Sequence, residues 1–214
     1  MKKIVLYGAG GFAREVVFMI ERINREKPTY DLLGFIVDEK YYHPDESVHG
    51  YPILGTGDWL VKHKDDVVCT CVIGEPPIVR QAIQEKYEEL GVRFETLISP
   101  DVEVHKSVTI GDGCVICRGV TFTVDINVGK GCIINERTGI GHDAQVGNYC
   151  CIFGGVSING HVTIENRVKV GGKSYFVPGI KVRDDAVVAA GSIVFSNVKA
   201  GTHVLGNPAK RINL

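Results

Sequence analysis

The 214-residue sequence predicts an α/β domain followed by a parallel β-helix. Three observations carry this. Residues 1 to about 95 alternate short apolar strands with helical stretches. A glycine-rich turn, Gly8-Ala9-Gly10-Gly11-Phe12-Ala13, joins the first strand to the first helix. From Ile98 to Val194 an aliphatic residue or Phe recurs every sixth position without a slip.

In chain order, KKIVLYG reads as a strand and FAREVVFMIERINR as an amphipathic helix. DLLGFIVD is a second strand, and DDVVCTCVIG is another, after a loop containing Tyr51-Pro52. IVRQAIQEKYEELG is a helix closed by Gly91, a good C-terminal cap because glycine enters the left-handed region without penalty. This β-α-β order implies a parallel sheet with helices packed on it, a Rossmann-like domain over residues 1–95.

Residues 96–214 follow another rule. The series Ile98, Val104, Ile110, Ile116, Phe122, Val128 continues at the same step through Ile134, Ile140 and Ile152 to Val194. Two residues before each lies a second series, mostly small or β-branched, from Val102 and Val108 through Cys114, Cys132 and Cys150 to Val168. A period of six is neither that of a helix nor simply that of a strand. It suits one short strand and one turn per repeat, with the aliphatic inward, three repeats closing a triangular coil. Each coil buries its aliphatics against its neighbours. A β-sandwich, with loops of varying length, would break the register.

Composition excludes several classes. The formal net charge is −1 with both signs interspersed, so nothing suggests nucleic acid. No apolar run approaches the roughly 20 residues of a membrane helix, and the N-terminal apolar stretch, cut by glycines, reads as a strand and turn rather than a signal peptide. The seven cysteines are odd in number and sit at packing positions, so reduced thiols in the cytoplasm are expected. Cys114-x-x-Cys117 has no second pair to complete a zinc site, and no metal is expected.

The glycine turn fits G-x-G-x-x-[GA] between strand and helix. Gly8, Gly10, Gly11 and Phe12 would bring backbone N–H groups to a phosphate at a helix start. Asp38, ending the second strand, suits a ribose or base edge, and Gly74 ends the next strand. Taken alone the turn suggests NAD, but a domain of under 100 residues has half the strands of a full dinucleotide fold. Arg80, early in a helix, fits either a phosphate contact or solvated surface.

The hexapeptide repeat, the N-terminal GAGGFARE and the terminal GNPAKR together resemble the NeuD/PglD family of sugar acetyltransferases, over the whole chain. The resemblance implies a left-handed parallel β-helix, a homotrimer, acetyl-CoA as acetyl donor, and a nucleotide sugar as acceptor bound by the glycine turn. The segment Ile134-Asn135-Glu136-Arg137-Thr138-Gly139-Ile140-Gly141-His142-Asp143 resembles the family's active-site coil. Two places after the inward Ile140, His142 projects outward, and its ordinary pKa near neutrality suits a general base. By resemblance Asp143 orients that imidazole and Asn135 faces the acceptor sugar. Cys151 stands where related enzymes carry a second His near the acetyl group. Gly155, Gly160, Gly172, Lys173 and Ala190 would line the CoA path. The expected activity is N-acetylation of a nucleotide-linked amino sugar, such as a UDP-4-amino sugar, in surface-glycan synthesis.

Three rivals use the same fold. O-acetylation of sialic acid or another surface sugar needs the same base. A non-catalytic nucleotide-sugar-binding protein would not need His142 and Asp143. A γ-type carbonic anhydrase needs three converging histidines, and His105, His142, His161 and His203 occupy different hexad phases.

Overall fold

The computed structural model describes residues 1–213, which divide into two compact units, 1–100 and 101–214. The first holds β1 (Lys2–Tyr7), α1 (Gly11–Glu26), β2 (Tyr30–Ile36), β3 (Ser47–Val48), β4 (Tyr51–Gly55), α2 (Gly57–Lys62), β5 (Val68–Cys71) and α3 (Pro77–Glu89). The strands form one sheet in the order β3-β4-β2-β1-β5, parallel except for β3. Ile4 to Tyr7 of β1 are all buried, as a central strand covered on both faces requires. Helix α1 buries Ala13, Val16, Val17 and Ile20, one face at helical spacing. The chain runs outward from β1 to β2 and β4 on one side, then returns to place β5 on the other. The strand order therefore reverses at the carboxyl ends of β1 and β5, where such sheets open a crevice.

Tyr51-Pro52 begins a strand rather than a loop. Pro52 cannot donate to a ladder, but it stands at the second position and opposite a two-residue strand, so little pairing is lost. Ile53 and Gly55 then carry the parallel pairing with β2.

The second unit is a left-handed parallel β-helix. Two-residue strands recur every six positions from Thr109–Ile110 to Ile193–Val194 and pair in parallel with the strand 18 residues on, as in Gly139 with Ser157 and Ile140 with Ile158. The inward residues from Val128 to Val194 are buried. Val104 departs from the expected pattern: it is 40% exposed, and residues 103–104 form no strand that could turn it inward against a coil.

The second residue series has a chemical reason. Cys114, Cys132 and Cys150 are fully buried, and each thiol donates to a carbonyl 15 residues on, at Gly129, Gly147 and Glu165. Thr138 donates to Phe153 in the same way, at 3.1 Å. A small side chain with one donor fits beside the coil corner and satisfies a backbone acceptor, so Cys, Ser and Thr alternate with Val there.

Each coil turns three corners, and one turn residue per corner takes a positive φ. Arg137, Gly155 and Lys173 do so on one corner, Asp143 and His161 on the second, Tyr149 and Arg167 on the third. Backbone bonds tie each corner to the next coil, for example His161 N–H to His142 O at 2.9 Å.

Candidate functional site

The first candidate lies in the N-terminal unit, at the switch point of its sheet. A cleft of about 780 Å³ opens there, lined by Tyr7, Gly8, Gly10, Gly11, Phe12, Asp38 and Gly74 among others. Apart from Arg80, the N-terminal residues expected to bind the nucleotide thus border one space. Gly8 has φ +109, which bars other residues without strain. Gly10 and Gly74 have no such constraint, and a Cβ added at either meets nothing within 4 Å. Their bareness leaves room in the cleft. The N-cap Gly10 makes no side-chain hydrogen bond and the first turn of α1 carries no acidic residue. An anion there would meet open N–H groups and the positive end of a 16-residue helix.

Arg80 takes neither of the places expected for it. It is fully buried, and its guanidinium donates to the carbonyls of Ile73 and Gly74 at 2.7 and 2.8 Å. Its role is to hold the backbone that forms the cleft's rim.

The second candidate lies on the β-helix. His142 Nδ1 is 2.8 Å from Asp143 Oδ2. Asp143 adopts φ +60, which turns its side chain back beside the preceding imidazole. An Nδ1–H matched to the carboxylate acceptor would leave Nε2 as the ring's free acceptor. The ring lies against the next coil, where a Cβ on Gly160 would come within 2.6 Å of Nε2. Gly160 is therefore the seat of His142.

Hexad phase alone missed one neighbour. His161 stands 18 residues beyond Asp143 on the same corner; its Nε2 is 3.7 Å from Asp143 Oδ2, and its ring meets that of His142 edge-on at 5.1 Å. Adding 18 to Asp143 would have found it. These three exposed groups converge within 4.8 Å, closer than their differing phases suggested.

The remaining residues separate. Asn135 precedes the corner of Arg137, and Gly155, Gly172, Lys173 and Ala190 lie on that same corner, stacked coil on coil through bonds such as Lys173 N–H to Gly154 O. His142, Asp143 and Gly160 occupy the next corner. Half-buried Asn135 accepts a hydrogen bond from the Cys117 thiol at 3.6 Å. Cys151 is a buried strand residue paired between Ile133 and Lys169.

Comparison with known proteins bears on both units. Residues 3–87 match the model of the PglD N-terminal domain, and residues 101–124 and 161–196 match the hexapeptide repeat of succinyl-transferase. The chain thus joins a PglD-type N-terminal domain to hexapeptide repeats, the arrangement that the resemblance to the NeuD/PglD family implies. Among solved structures similar to this chain is WeeI from Acinetobacter baumannii AYE, 27% identical, with a TM-score of 0.84 over 99% of this chain and 100% of that one. PerB from Caulobacter crescentus, solved with CoA and GDP-perosamine, shares the fold at 24% identity, with a TM-score of 0.88 over 100% and 98% of the two chains. A 2,3,4,5-tetrahydropyridine-2,6-dicarboxylate N-acetyltransferase of Staphylococcus aureus is 47% identical over 51 residues, which are 24% of this chain and 21% of that protein. The putative acetyltransferase YvoF of Bacillus subtilis is 42% identical over 53 residues, 25% of this chain and 31% of that protein. The chain thus spans a fifth to a third of the length of these curated relatives.

Proposed function

We propose that this protein transfers the acetyl group of acetyl-CoA to the amine of a nucleotide-linked amino sugar, with His142 as general base. The observation that carries this reading is the His142–Asp143 pair, 2.8 Å apart on an open corner and seated on Gly160. Asp143 holds the imidazole in the tautomer whose Nε2 accepts a proton and stabilises the cation that results. The acceptor amine attacks the thioester carbonyl and forms the C–N bond while Nε2 takes the amine proton. The tetrahedral oxyanion is held by a backbone N–H of the coil. It collapses with cleavage of the C–S bond, and the imidazolium returns its proton to the departing CoA thiolate. No covalent enzyme intermediate is needed, and all seven cysteines are buried away from such a role.

The cleft at Gly8–Phe12 takes the nucleotide of the acceptor, its phosphates on the α1 N-terminus and its nucleoside toward Asp38. The bland alternative for the turn is a tight connection without a ligand; the bare space over Gly10 and Gly74 favours a ligand. The pantetheine arm of CoA runs along the small residues Gly155, Gly172 and Ala190, with Lys173 toward its phosphates. That corner differs from the corner of His142 in the same chain. A homotrimer, with the base of one protomer facing the other corner of its neighbour, unites them. The implied setting is cytoplasmic synthesis of a surface glycan.

The test is a screen of UDP- and GDP-linked 4-amino sugars and free sialic acid with acetyl-CoA, following thiol release and the mass of the sugar. N-acetylated nucleotide sugar is expected. Acetylation of sialic acid alone would replace the amine acceptor by a hydroxyl, and CoA binding without any transfer would leave a binding protein.

A further inference from the structure

Tyr7 closes β1 and points into the core, 2% exposed, directly before the glycine turn. Its hydroxyl donates to Asp38 Oδ1 at 2.7 Å. The Tyr87 hydroxyl neighbours that of Tyr7, with the two ring centroids 5.6 Å apart. A phenol has one proton, and that of Tyr7 is committed to the Asp38 carboxylate, which fixes the direction of the bond.

Space for this arrangement is made elsewhere in the sequence. The Tyr87 hydroxyl lies against Gly57, the first residue of α2, where any Cβ would overlap it. Three elements thus converge to bury two hydroxyls behind one carboxylate. Phenylalanine at both positions would fill the core without polar groups to satisfy, so packing gives no reason for the hydroxyls. Burial and the bond to Asp38, with the Tyr87 hydroxyl beside it, also push the Tyr7 phenol far above its ordinary range, so it stays a donor at every working pH.

At the other end, Asp38 borders the cleft. Its Oδ2 receives no hydrogen bond from the described residues. Lys40, two residues on, also lines the cleft, with its ammonium over the Tyr41 ring at 4.7 Å. We infer that Tyr7, backed by Tyr87, is a positioning residue for ligand recognition: it fixes the Asp38 carboxylate so that Oδ2 faces the cleft as an acceptor for a base N–H or ribose hydroxyl of a nucleoside diphosphate. This rests on reading the cleft as a nucleotide site. A charge-assisted hydroxyl–carboxylate bond is short, strong and directional, and so suited to holding one rotamer. The cleft would then favour ligands presenting donors at that point over ligands presenting acceptors.

Calorimetric titration of the intact protein with UDP and with GDP tests this in a double-mutant cycle. Tyr7→Phe keeps the ring and should weaken binding of the preferred nucleotide about three- to tenfold. In an Asp38→Ala background the same change should have no further effect, because there is no carboxylate left to position. Tyr87→Phe, which lies outside the cleft lining, should weaken binding in the same direction by a smaller factor and offers a second route should Tyr7→Phe fold poorly. An unchanged affinity in Tyr7→Phe, or an equal loss in both backgrounds, overturns the positioning role while leaving the nucleotide site intact. A wild-type protein that binds neither nucleotide overturns the nucleotide reading and the inference with it.

Discussion

Gly160 decides where the His142 imidazole sits. Its backbone is not in the left-handed region, so alanine is conformationally acceptable there. Its Cβ would nevertheless stand 2.6 Å from His142 Cε1 and Nε2, and the ring must move. The account predicts that Gly160→Ala folds and lowers kcat by up to about 10²-fold, the scale of a misplaced reacting group. Steady-state kinetics beside a thermal melt check this; a folded variant with wild-type kcat would show that the ring's seat does not matter. At this scale the sequence exposed His142, since an outward His just past the inward Ile140, within the motif at 134–143, is not needed for packing. It concealed His161, because the contact depends on an 18-residue coil that the six-residue period implies only once three-sided closure is applied. It also hid the Tyr7–Asp38 bond and its neighbour Tyr87, residues far apart in sequence.

Among the elements, the strand interiors and coil corners account for the cysteines. Cys69 and Cys71 lie in β5, fully buried. Burial, partly offset by nearby backbone and Arg80, pushes the Cys71 thiol from 9.0 up to about 11, and burial likewise raises Cys69. The raised value means that the neutral thiol is the form the fold favours. The stability linked to Cys71 is complete below pH 9.0 and is lost as the pH rises toward about 11. The native protein should therefore resist a thiol reagent near pH 8, whereas the denatured chain should expose seven thiols. Rapid labelling of the native protein would contradict the buried assignment, as would a melting temperature that holds constant through that alkaline window. The helices and the long strands were legible from periodicity, and β4 was not, because Pro52 reads as a loop signal when a strand's partner is unknown. The regular six-residue period made the β-helix plain, yet it overreached at Val104, where no strand forms to turn the side chain inward.

For the whole molecule, the division of candidate residues between two corners has a consequence for assembly. One chain presents His142 on one corner and the small residues Gly155, Gly172 and Ala190 on another. A cyclic trimer brings unlike corners of neighbouring prisms together and gives three equivalent sites. The account predicts a particle with three times the mass of one chain by light scattering, and activity that falls on dilution below the assembly range. A fully active single chain would contradict it. The family and fold followed from repeat and turn motifs, whereas the acceptor's identity depends on the shape of a cleft, which periodicity does not encode. The central claim is that His142 takes the proton of the attacking group. It is tested most directly by kcat for acetyl transfer in His142→Ala, measured on the best acceptor with the variant's fold verified. The account predicts a loss of about 10²- to 10⁴-fold, the scale of a missing general base. A folded His142→Ala protein that transfers acetyl at the wild-type rate would contradict it.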